Sequence, residues 1–580
     1  MKQRVQTLAD RLRQADVPTA TDALRVRRRD FFRTLAAGTT ALAAGAALTA
    51  CGGDDDSDTA TFQHGVASGD PLATAVILWT RITPSNAARS YSVEWQVATD
   101  RNFASIVRSG FVTAAPEGDF TAKVDATGLA PNTAYFYRFG VAGTLSPVGR
   151  TKTLPTGSVS QVRLAVFSCS NFPAGFFNAY ADAALQANVD AAVHLGDYIY
   201  EYSRSGYASQ NAAALGRLSD PDAELITLSD YRRRHAQYRS DPDLQALSAA
   251  VPMIAVWDDH ESANNAWRDG AENHQPNEGD WAVRKATAIR VWHEWMPTRV
   301  GADPAKTWRR FDFGNLLSLH MLDARLAGRD RQLDIASYVG AGGSFDGARF
   351  VADVSNPNRQ LLGAEQTAWL QAQLQTSTAT WQVLGQQVLM GRMNIPAPVA
   401  LQQITIGAYA ALVQKAQTAP ATLTPQEQAI LAAPSIPYNL DAWDGYAAAR
   451  EAVLGTARTL DKNLVVLAGD THNAWGNDLL DAQGRRCGVE MATPSVSSPG
   501  FEAVFPNETP QVFAAAVEQL IGPLQYADTS RRGYLLVTAT PTECRADWRF
   551  VSTTQSRSFT ASTGRTLRVL PGASGRALVA

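Results

Sequence analysis

Short apolar segments that stop abruptly at carboxylate, thiol or imidazole side chains constrain the fold of this 580-residue chain most strongly. The clearest is the segment 189–195, which ends at Gly196 and is followed by Asp197, with Tyr200 three residues later. In open α/β sheets, ligands bind just beyond the carboxyl ends of the strands. A single Gly-Asp pair after a strand is more often an ordinary turn or a helix N-cap. The same pattern occurs at three other places in the chain, and this repetition favours a ligand site.

Three other apolar segments end in the same way. They are 162–167, followed by Cys169; 251–256, followed by Asp258, Asp259 and His260; and 464–468, followed by Asp470 and His472. Strands that end at a common edge would bring a thiol, a phenol, carboxylates and imidazoles to one point. Such a set offers soft and hard ligands together, and a carboxylate such as Asp197 can bridge two ions. The sequence therefore predicts a metal centre, and two ions 3.5–4 Å apart can clamp a phosphate and generate hydroxide near neutral pH.

The region from 160 to 580 predicts a mixed α/β catalytic body. The β-α-β order over 162–195 implies a parallel pair of strands with a right-handed crossover. Further expected strands cover 251–256, 316–322, 381–389, 464–468, 534–539 and 548–551; expected helices cover 179–186, 281–295 and 365–374. The stretch 208–249 looks helical and polar, and an Ala- and Gln-rich helical insertion near 400–435 is a candidate lid.

The preceding region, 61–155, predicts a separate β-module. Alternating or β-branched segments at 75–82, 91–97, 121–124 and 134–141 are divided by Gly, Pro and Asn. Their spacing is typical of a small sandwich of immunoglobulin or fibronectin type. No acid/base group clusters here, so we expect this module to pack or bind rather than react.

The N-terminus predicts a targeting segment. Arg28 and Arg29 form a twin-arginine pattern, and the weakly apolar run that follows ends at Cys51, as in a bacterial lipoprotein signal. We expect residues 1–50 to be a twin-arginine signal peptide and 51–60 a linker. The protein would then be periplasmic or on the cell surface, with Cys51 either lipidated or merely beside a plain cleavage site.

The composition of the chain limits the kinds of binding partner that we expect. Apolar residues make up 45% of the chain, and the net charge of -3 does not favour nucleic acid as a specific partner. Export makes a disulfide between Cys487 and Cys544 plausible, although two buried thiols are equally compatible. The basic stretch 231–235 is either a solvated helix face or a substrate contact. We expect a monomer.

Four of the motifs together resemble the PhoD-type alkaline phosphatases. They are Phe-Ser-Cys at 167–169, Gly-Asp-Tyr-Ile-Tyr-Glu at 196–201, Trp-Asp-Asp-His-Glu at 257–261 and Gly-Asp-Thr-His at 469–472. Segments 65–71 and 77–81 resemble the β-module of that family. The resemblance implies a calcineurin-like metallophosphoesterase core: an α/β four-layer sandwich of sheets flanked by helices, with iron and calcium as metals.

The resemblance, extended to the distantly related purple acid phosphatases, also implies roles for individual residues. The implied Fe(III) ligands are Cys169, Asp197, Tyr200 and His472. The second site falls to Asp197, Asp259 and Asp470, whose hard oxygens favour Ca²⁺. His260 is left as a non-ligand that protonates the leaving alkoxide. Spacing does not distinguish Asp258 from Asp259, and Arg325 is either a phosphate contact or a local salt bridge.

The expected function is an exported phosphoesterase, similar to alkaline phosphatase D, that cleaves phosphomonoesters or phosphodiesters with metal-activated hydroxide. Its substrate would be a phosphate-ester small molecule or a phospholipid. An inactive surface adhesion lipoprotein is the alternative, and the full ligand set speaks against it. A serine hydrolase is disfavoured because no Gly-x-Ser-x-Gly elbow is paired with a triad.

Overall fold

The computed structural model describes residues 59–340 and 345–580. The predicted signal peptide, Cys51 and most of the predicted linker lie outside these residues. The strands, in chain order, are β1 Ala60–Thr61, β2 Val66–Gly69, β3 Ala75–Arg81, β4 Thr83–Pro84, β5 Tyr91–Ala98, β6 Ile106–Ala114, β7 Thr121–Thr127, β8 Ala134–Val141, β9 Thr144–Leu145, β10 Gly149–Lys152, β11 Val162–Phe167, β12 Ala191–His194, β13 Met253–Ala255, β14 Arg309–Phe313, β15 Leu317–Met321, β16 Trp381–Gly385, β17 Asn394–Pro396, β18 Ser435–Pro437, β19 Leu464–Ala468, β20 Ala474–Leu480, β21 Arg486–Ala492, β22 Leu524–Asp528, β23 Gly533–Ala539, β24 Cys544–Val551 and β25 Ala561–Val569.

The α-helices are mostly amphipathic segments between these strands. They are α1 Asn178–Ala184, α2 Ala212–Leu215, α3 Leu228–Arg239, α4 Pro242–Ala250, α5 Trp281–Trp295, α6 Gly347–Val354, α7 Gly363–Thr376, α8 Ala397–Ala400, α9 Ile406–Thr418, α10 Pro425–Leu431, α11 Ala447–Thr459, α12 Phe501–Val504 and α13 Pro510–Leu520. Several begin at side-chain caps: Asp241 and Asp280, for example, accept backbone N–H bonds of the first turns of α4 and α5.

Two large mixed sheets form the centre of the body. The first has nine strands in the order β25-β24-β23-β11-β12-β13-β2-β3-β7, and the second has seven in the order β14-β15-β16-β19-β21-β20-β22. In the first, β11, β12 and β13 are parallel neighbours. In the second, β15, β16, β19 and β21 are parallel. The predicted β-α-β unit is therefore present.

The two sheets pack face to face between two helical layers. On β11, Leu164 and Val166 point into the core between the sheets, whereas Ala165 and Phe167 face the first helical layer. Helices α1, α3, α4 and α5 cover the nine-stranded sheet, and α7, α9, α11 and α13 cover the seven-stranded sheet. The predicted four-layer α/β architecture is confirmed.

The N-terminal strands have a core of their own but share a sheet with the body. Strands β3, β5, β7 and β8 occur where they were predicted, and β10-β8-β5-β6 form a separate sheet over that core. Strands β2, β3 and β7 instead extend the nine-stranded sheet, because Gly69 of β2 pairs in parallel with Met253 of β13. A Cβ on Gly69 would lie 2.4 Å from the Met253 carbonyl oxygen, so only glycine permits this approach.

Several alternatives left open by the sequence are decided here. Cys487 and Cys544 are buried free thiols, on β21 of one sheet and β24 of the other, so they form no disulfide. In the basic stretch 231–235, Arg234 and His235 are buried, so it is not simply a solvated face. The predicted insertion contains α9 and α10, and α9 packs on α13. Within the described residues, no helix is long and apolar enough to cross a membrane.

Candidate metal centre

The predicted site residues follow the carboxyl ends of four strands that meet at one edge of the two sheets. Parallel register aligns Phe167 with His194 and His194 with Ala255, so the turns after β11, β12 and β13 are adjacent. These turns carry Cys169, Asp197 and the segment 258–261. The turn after β19 of the second sheet carries Asp470 and His472. Proximity of the four turns follows directly from sheet topology.

These turns are held in uncommon backbone conformations. Cys169, Asp197, Asp470 and His472 have φ values of 61°, 54°, 62° and 63°, in the left-handed region that non-glycine residues rarely adopt. Strain of this kind persists where surrounding structure imposes it and is concentrated at functional sites. The preceding Gly196 has φ 111°, and a Cβ there would lie 2.5 Å from the backbone nitrogen of Asp258.

One group of donor atoms corresponds to the first predicted site. Ligand atoms of Cys169, Asp197 and His472 all lie within 4.8 Å of one another. The Tyr200 hydroxyl is 2.9 Å from Asp197 Oδ2 and 3.2 Å from His472 Nε2. His472 Nδ1 donates to the Pro499 carbonyl oxygen at 2.8 Å, which leaves Nε2 as a lone-pair donor toward the group. The structure thus brings together all four residues assigned to iron.

Carboxylates, joined in one group by His260, form the second and third groups. Asp197, Asp259 and His260 offer atoms within 4.8 Å of one another, and so do Asp258, Asp259 and Asp470. Asp259 belongs to both groups, and Asp197 links the second group to the first. The three residues assigned to calcium are therefore neighbours, and Asp258 lies beside them.

Arg325 lies among these carboxylates with its side chain fully buried. Its guanidinium donates to Asp258 Oδ1 at 2.5 Å, Asp441 Oδ2 at 2.6 Å and Asp470 Oδ1 at 2.7 Å. Asp323 accepts instead from the backbone N–H of Arg325 at 2.8 Å. Of the two alternatives for Arg325, the structure shows a salt bridge, but its partners Asp258, Asp441 and Asp470 lie far from Arg325 along the chain, so the bridge is not local.

Electrostatics favour cations at this point. Asp197 Oδ1, Asp258 Oδ2 and Asp259 Oδ1 are buried and accept no hydrogen bond from the described residues. Burial and the repulsion of neighbouring carboxylates raise the pKa of Asp470 to about 7, against the attraction of Arg325. Burial and Asp197 also raise the pKa values of the Cys169 thiol and the Tyr200 phenol well above their usual range. A metal cation would satisfy the free oxygens and reverse these shifts, so the donor set fits metal binding.

His260 lies at the edge of the same groups and is held by a buried carboxylate. Its Nδ1 is 2.7 Å from Glu201 Oε2. Glu201 is in turn fixed through Oε1 by the Asn264 N–H and the Asn273 side-chain amide, both at 2.8 Å. Burial opposes charge on His260, but Asp197, Glu201 and Asp259 raise its pKa well above the usual value. Glu201 thus orients the imidazole through Nδ1 and favours its protonated form, which leaves Nε2 available to donate a proton.

A second buried glutamate connects two of the turns. Glu261 accepts backbone N–H bonds from Asp197 at 3.1 Å, Tyr198 at 2.6 Å and Asp258 at 2.8 Å. It thereby fixes the turn after β12 to the turn after β13.

Several of these residues have roles that the sequence motifs alone do not predict. Glu201 and Glu261 stand inside the motifs quoted above, and a carboxylate next to a predicted ligand was the available signal. Ser498, whose hydroxyl is 2.7 Å from that of Tyr200, and Asp441 lie far along the chain with no local signal.

Comparisons with known proteins agree with this architecture. Residues 164–548 match the family model described as PhoD-like phosphatase, and residues 43–155 match that of its N-terminal domain. Alkaline phosphatase D of Bacillus subtilis (strain 168) is 36% identical over 506 residues, which cover 84% of this chain and 77% of that protein. The solved structure of PhoD matches with a TM-score of 0.73 and 33% identity, covering 90% of this chain and 92% of that chain.

The fold and the family match define a phosphatase, a hydrolase that acts on phosphoric ester bonds. The chain belongs to the PhoD-like phosphatase family.

Proposed function

We propose that this protein is an exported, metal-dependent phosphoesterase that hydrolyses phosphomonoesters, phosphodiesters or both. The observation that carries the proposal is the convergence of a thiol, a phenol, an imidazole and four carboxylates on adjacent turns, with His260 held by Glu201 at their edge. Substrates of this class carry a phosphate that such a centre can bind.

The candidate ligands fall into two sets that suit different metal ions. Fe(III) would be held by Cys169, Asp197, Tyr200 and His472, and Ca²⁺ by Asp197, Asp259 and Asp470. A thiolate and a phenolate suit a ferric ion, whereas an oxygen-only site suits calcium. When bound, the metals supply Lewis-acid polarisation of the phosphate and a nucleophile near neutral pH.

The remaining chemistry belongs to the side chains. His260 protonates the oxygen of the departing alcohol through Nε2, because Nδ1 is occupied by Glu201. General-acid catalysis of this kind contributes about 10²–10⁴ in rate. Arg325 holds Asp258 and Asp470 in fixed orientations and offsets part of their mutual repulsion. The contacts that orient His260 and Arg325 for these roles are already present in the protein.

The proposal also covers where the protein is located and what it binds. The twin-arginine pattern at Arg28 and Arg29 supports export to the periplasm or cell surface, with a lipid anchor at Cys51. Small phosphate esters or phospholipids are the substrates, and the protein acts as a monomer.

A substrate panel with metal analysis tests the proposal. The purified protein should hydrolyse at least one of an aryl phosphate, a bis-aryl phosphodiester and a phospholipid, and should contain iron and calcium. A protein that binds both metals but cleaves none of the three would support the inactive adhesion protein instead. Signal cleavage at Cys51 with a mass increase for lipid would be detected by mass spectrometry, and an unmodified N-terminus would contradict anchoring.

A further inference from the structure

A buried guanidinium lies where the N-terminal strands meet the first helical layer, and no carboxylate neutralises it. Arg239, the last residue of α3, is only 1% exposed and forms no ion pair with any described residue. Its Nη1 donates to Ser248 Oγ at 2.8 Å and its guanidinium faces the Tyr198 hydroxyl, but no carboxylate accepts from its Nε or Nη2 in the described parts of the chain. Because an unpaired buried charge is costly, an additional partner is expected.

Other buried groups with unsatisfied atoms surround it. The His235 ring stacks between Tyr198 and Trp295, with centroid distances of 6.2 Å on both sides. The guanidinium carbon of Arg239 lies 4.4 Å from the centroid of Trp79, whose ring is 5.8 Å from that of Trp295. The Tyr198 hydroxyl faces the Arg239 guanidinium, and His235 Nδ1, His235 Nε2 and Trp295 Nε1 have no hydrogen-bond partner among the described residues. We call Arg239 and these three residues the Arg239 cluster.

The chemistry of the Arg239 cluster identifies the class of ligand. Arg239 Nε, Arg239 Nη2 and Trp295 Nε1 can only donate hydrogen bonds, and no unsatisfied side-chain atom of the cluster can only accept. Burial and the charges of Arg239 and Arg234 lower the pKa of His235 to about 3, so its ring is neutral and offers one N–H donor. An excess of donors with a single positive charge suits a small anion and repels a metal cation.

We propose that the Arg239 cluster binds a small inorganic monoanion, of which chloride is the representative, and that this anion stabilises the packing of the N-terminal strands on the body. No side chain of the Arg239 cluster has a role in the proposed catalysis, so failure of the anion site would leave the phosphatase assignment untouched. His64 of the N-terminal region adds to the enclosure, since its ring meets that of Trp295 edge-on at 5.2 Å.

Halide-dependent stability tests the site in the intact protein. The thermal midpoint should rise with added sodium chloride or bromide, in proportion to the logarithm of the halide concentration once this exceeds the dissociation constant, because a ligand that binds only the folded state stabilises it by mass action. Sodium gluconate at equal ionic strength should have no such effect. Crystals soaked in bromide should show an anomalous peak within hydrogen-bonding distance of Arg239 Nη2.

Variants separate the site from general salt effects. Arg239→Met should abolish the halide dependence, whereas Arg217→Met, which removes a buried arginine already paired with Asp241 at 2.6 Å, should destabilise the protein but keep it. If Arg239→Met does not fold, Trp295→Phe removes one donor and should move the onset of the halide-dependent rise in thermal midpoint to higher halide concentration. Equal thermal midpoints in all three salts, or ordered water with no anomalous peak at Arg239, would overturn the proposal.

Discussion

The contact between Glu201 and His260 offers the most direct test of the catalytic assignment. Glu201→Gln keeps the volume of the side chain and its Oε1 bonds to the Asn264 N–H and the Asn273 amide. The substitution changes the atom 2.7 Å from His260 Nδ1: a carboxylate oxygen is replaced by an amide NH₂, which cannot accept a hydrogen bond from the imidazole. The imidazole can then face the amide only as its Nε2–H tautomer or as a poorly stabilised cation.

The expected loss follows from the strength of that bond. A hydrogen bond to a charged group is worth about 1.5–3 kcal/mol, and each 1.36 kcal/mol of barrier is tenfold in rate. We therefore expect kcat to fall by about 10- to 150-fold. Because the carboxylate helps to raise the pKa of His260, the alkaline limb of the kcat–pH profile should also move to lower pH.

A double-mutant cycle against His260→Ala isolates the pair. His260→Ala alone should lower kcat by about 10²–10⁴ with both metals retained, and adding Glu201→Gln should lower it little further, since the group that Glu201 holds is already gone. Glu261→Gln is the matched control, because the hydrogen bonds described for the Glu261 carboxylate come from backbone N–H groups of other residues and none joins it to the His260 imidazole. Additive losses, an unshifted pH profile, or loss of metal from His260→Ala would refute this role for the pair.

Three further predictions concern the metals and the pH dependence of stability. EGTA should abolish activity, added Ca²⁺ should restore it, and iron content should not change; full activity after exhaustive calcium removal would contradict the second site. The iron-loaded protein should absorb in the visible, Tyr200→Phe should shift or bleach the band, and Cys169→Ser should move it differently with lower iron content; a colourless, iron-free, active enzyme would remove iron from the centre. Burial lowers the pKa of His320 to about 4, so His320 stabilises the folded state above pH 6.5 and this contribution is lost as pH falls toward 4. In urea titrations between pH 8 and 5, the free energy of unfolding of the wild type should therefore fall by about 2 kcal/mol more than that of His320→Gln. Parallel falls in the two proteins would contradict this role of His320.

Local pattern was enough to predict most elements of the body. The strand over 162–167, the strand over 464–468 and the helix over 281–295 occur with the predicted bounds, because buried strands and an amphipathic helix leave direct traces in the apolar residues. The same apolar patterns predicted that the candidate ligands directly follow the carboxyl ends of strands. The β-α-β order also predicts that β11 pairs with β12, but only the tertiary structure shows that β13 and β2 continue the same sheet, since the order of distant strands cannot be read from any local segment.

Non-local packing decided the details of the site. Sequence spacing could not separate Asp258 from Asp259; in the fold, Asp258 accepts from Arg325 while Asp259 lies between two groups of donors. Asp441 and Ser498 reach the centre across long stretches of chain, which no periodicity reports. The left-handed conformations of Cys169 and Asp197 were likewise invisible, because most non-glycine residues avoid them unless tertiary contacts impose them.

The N-terminal strands show the same division. Alternation and turn residues predicted β3, β5, β7 and β8 as strands, because that pattern depends only on which faces are buried. Which sheet each strand joins depends instead on a contact 184 positions apart along the chain, Gly69 with Met253. The residue types of this chain thus determine its strands, its helices and the chemistry available to it, while the pairing of distant backbone segments decides which of those groups meet.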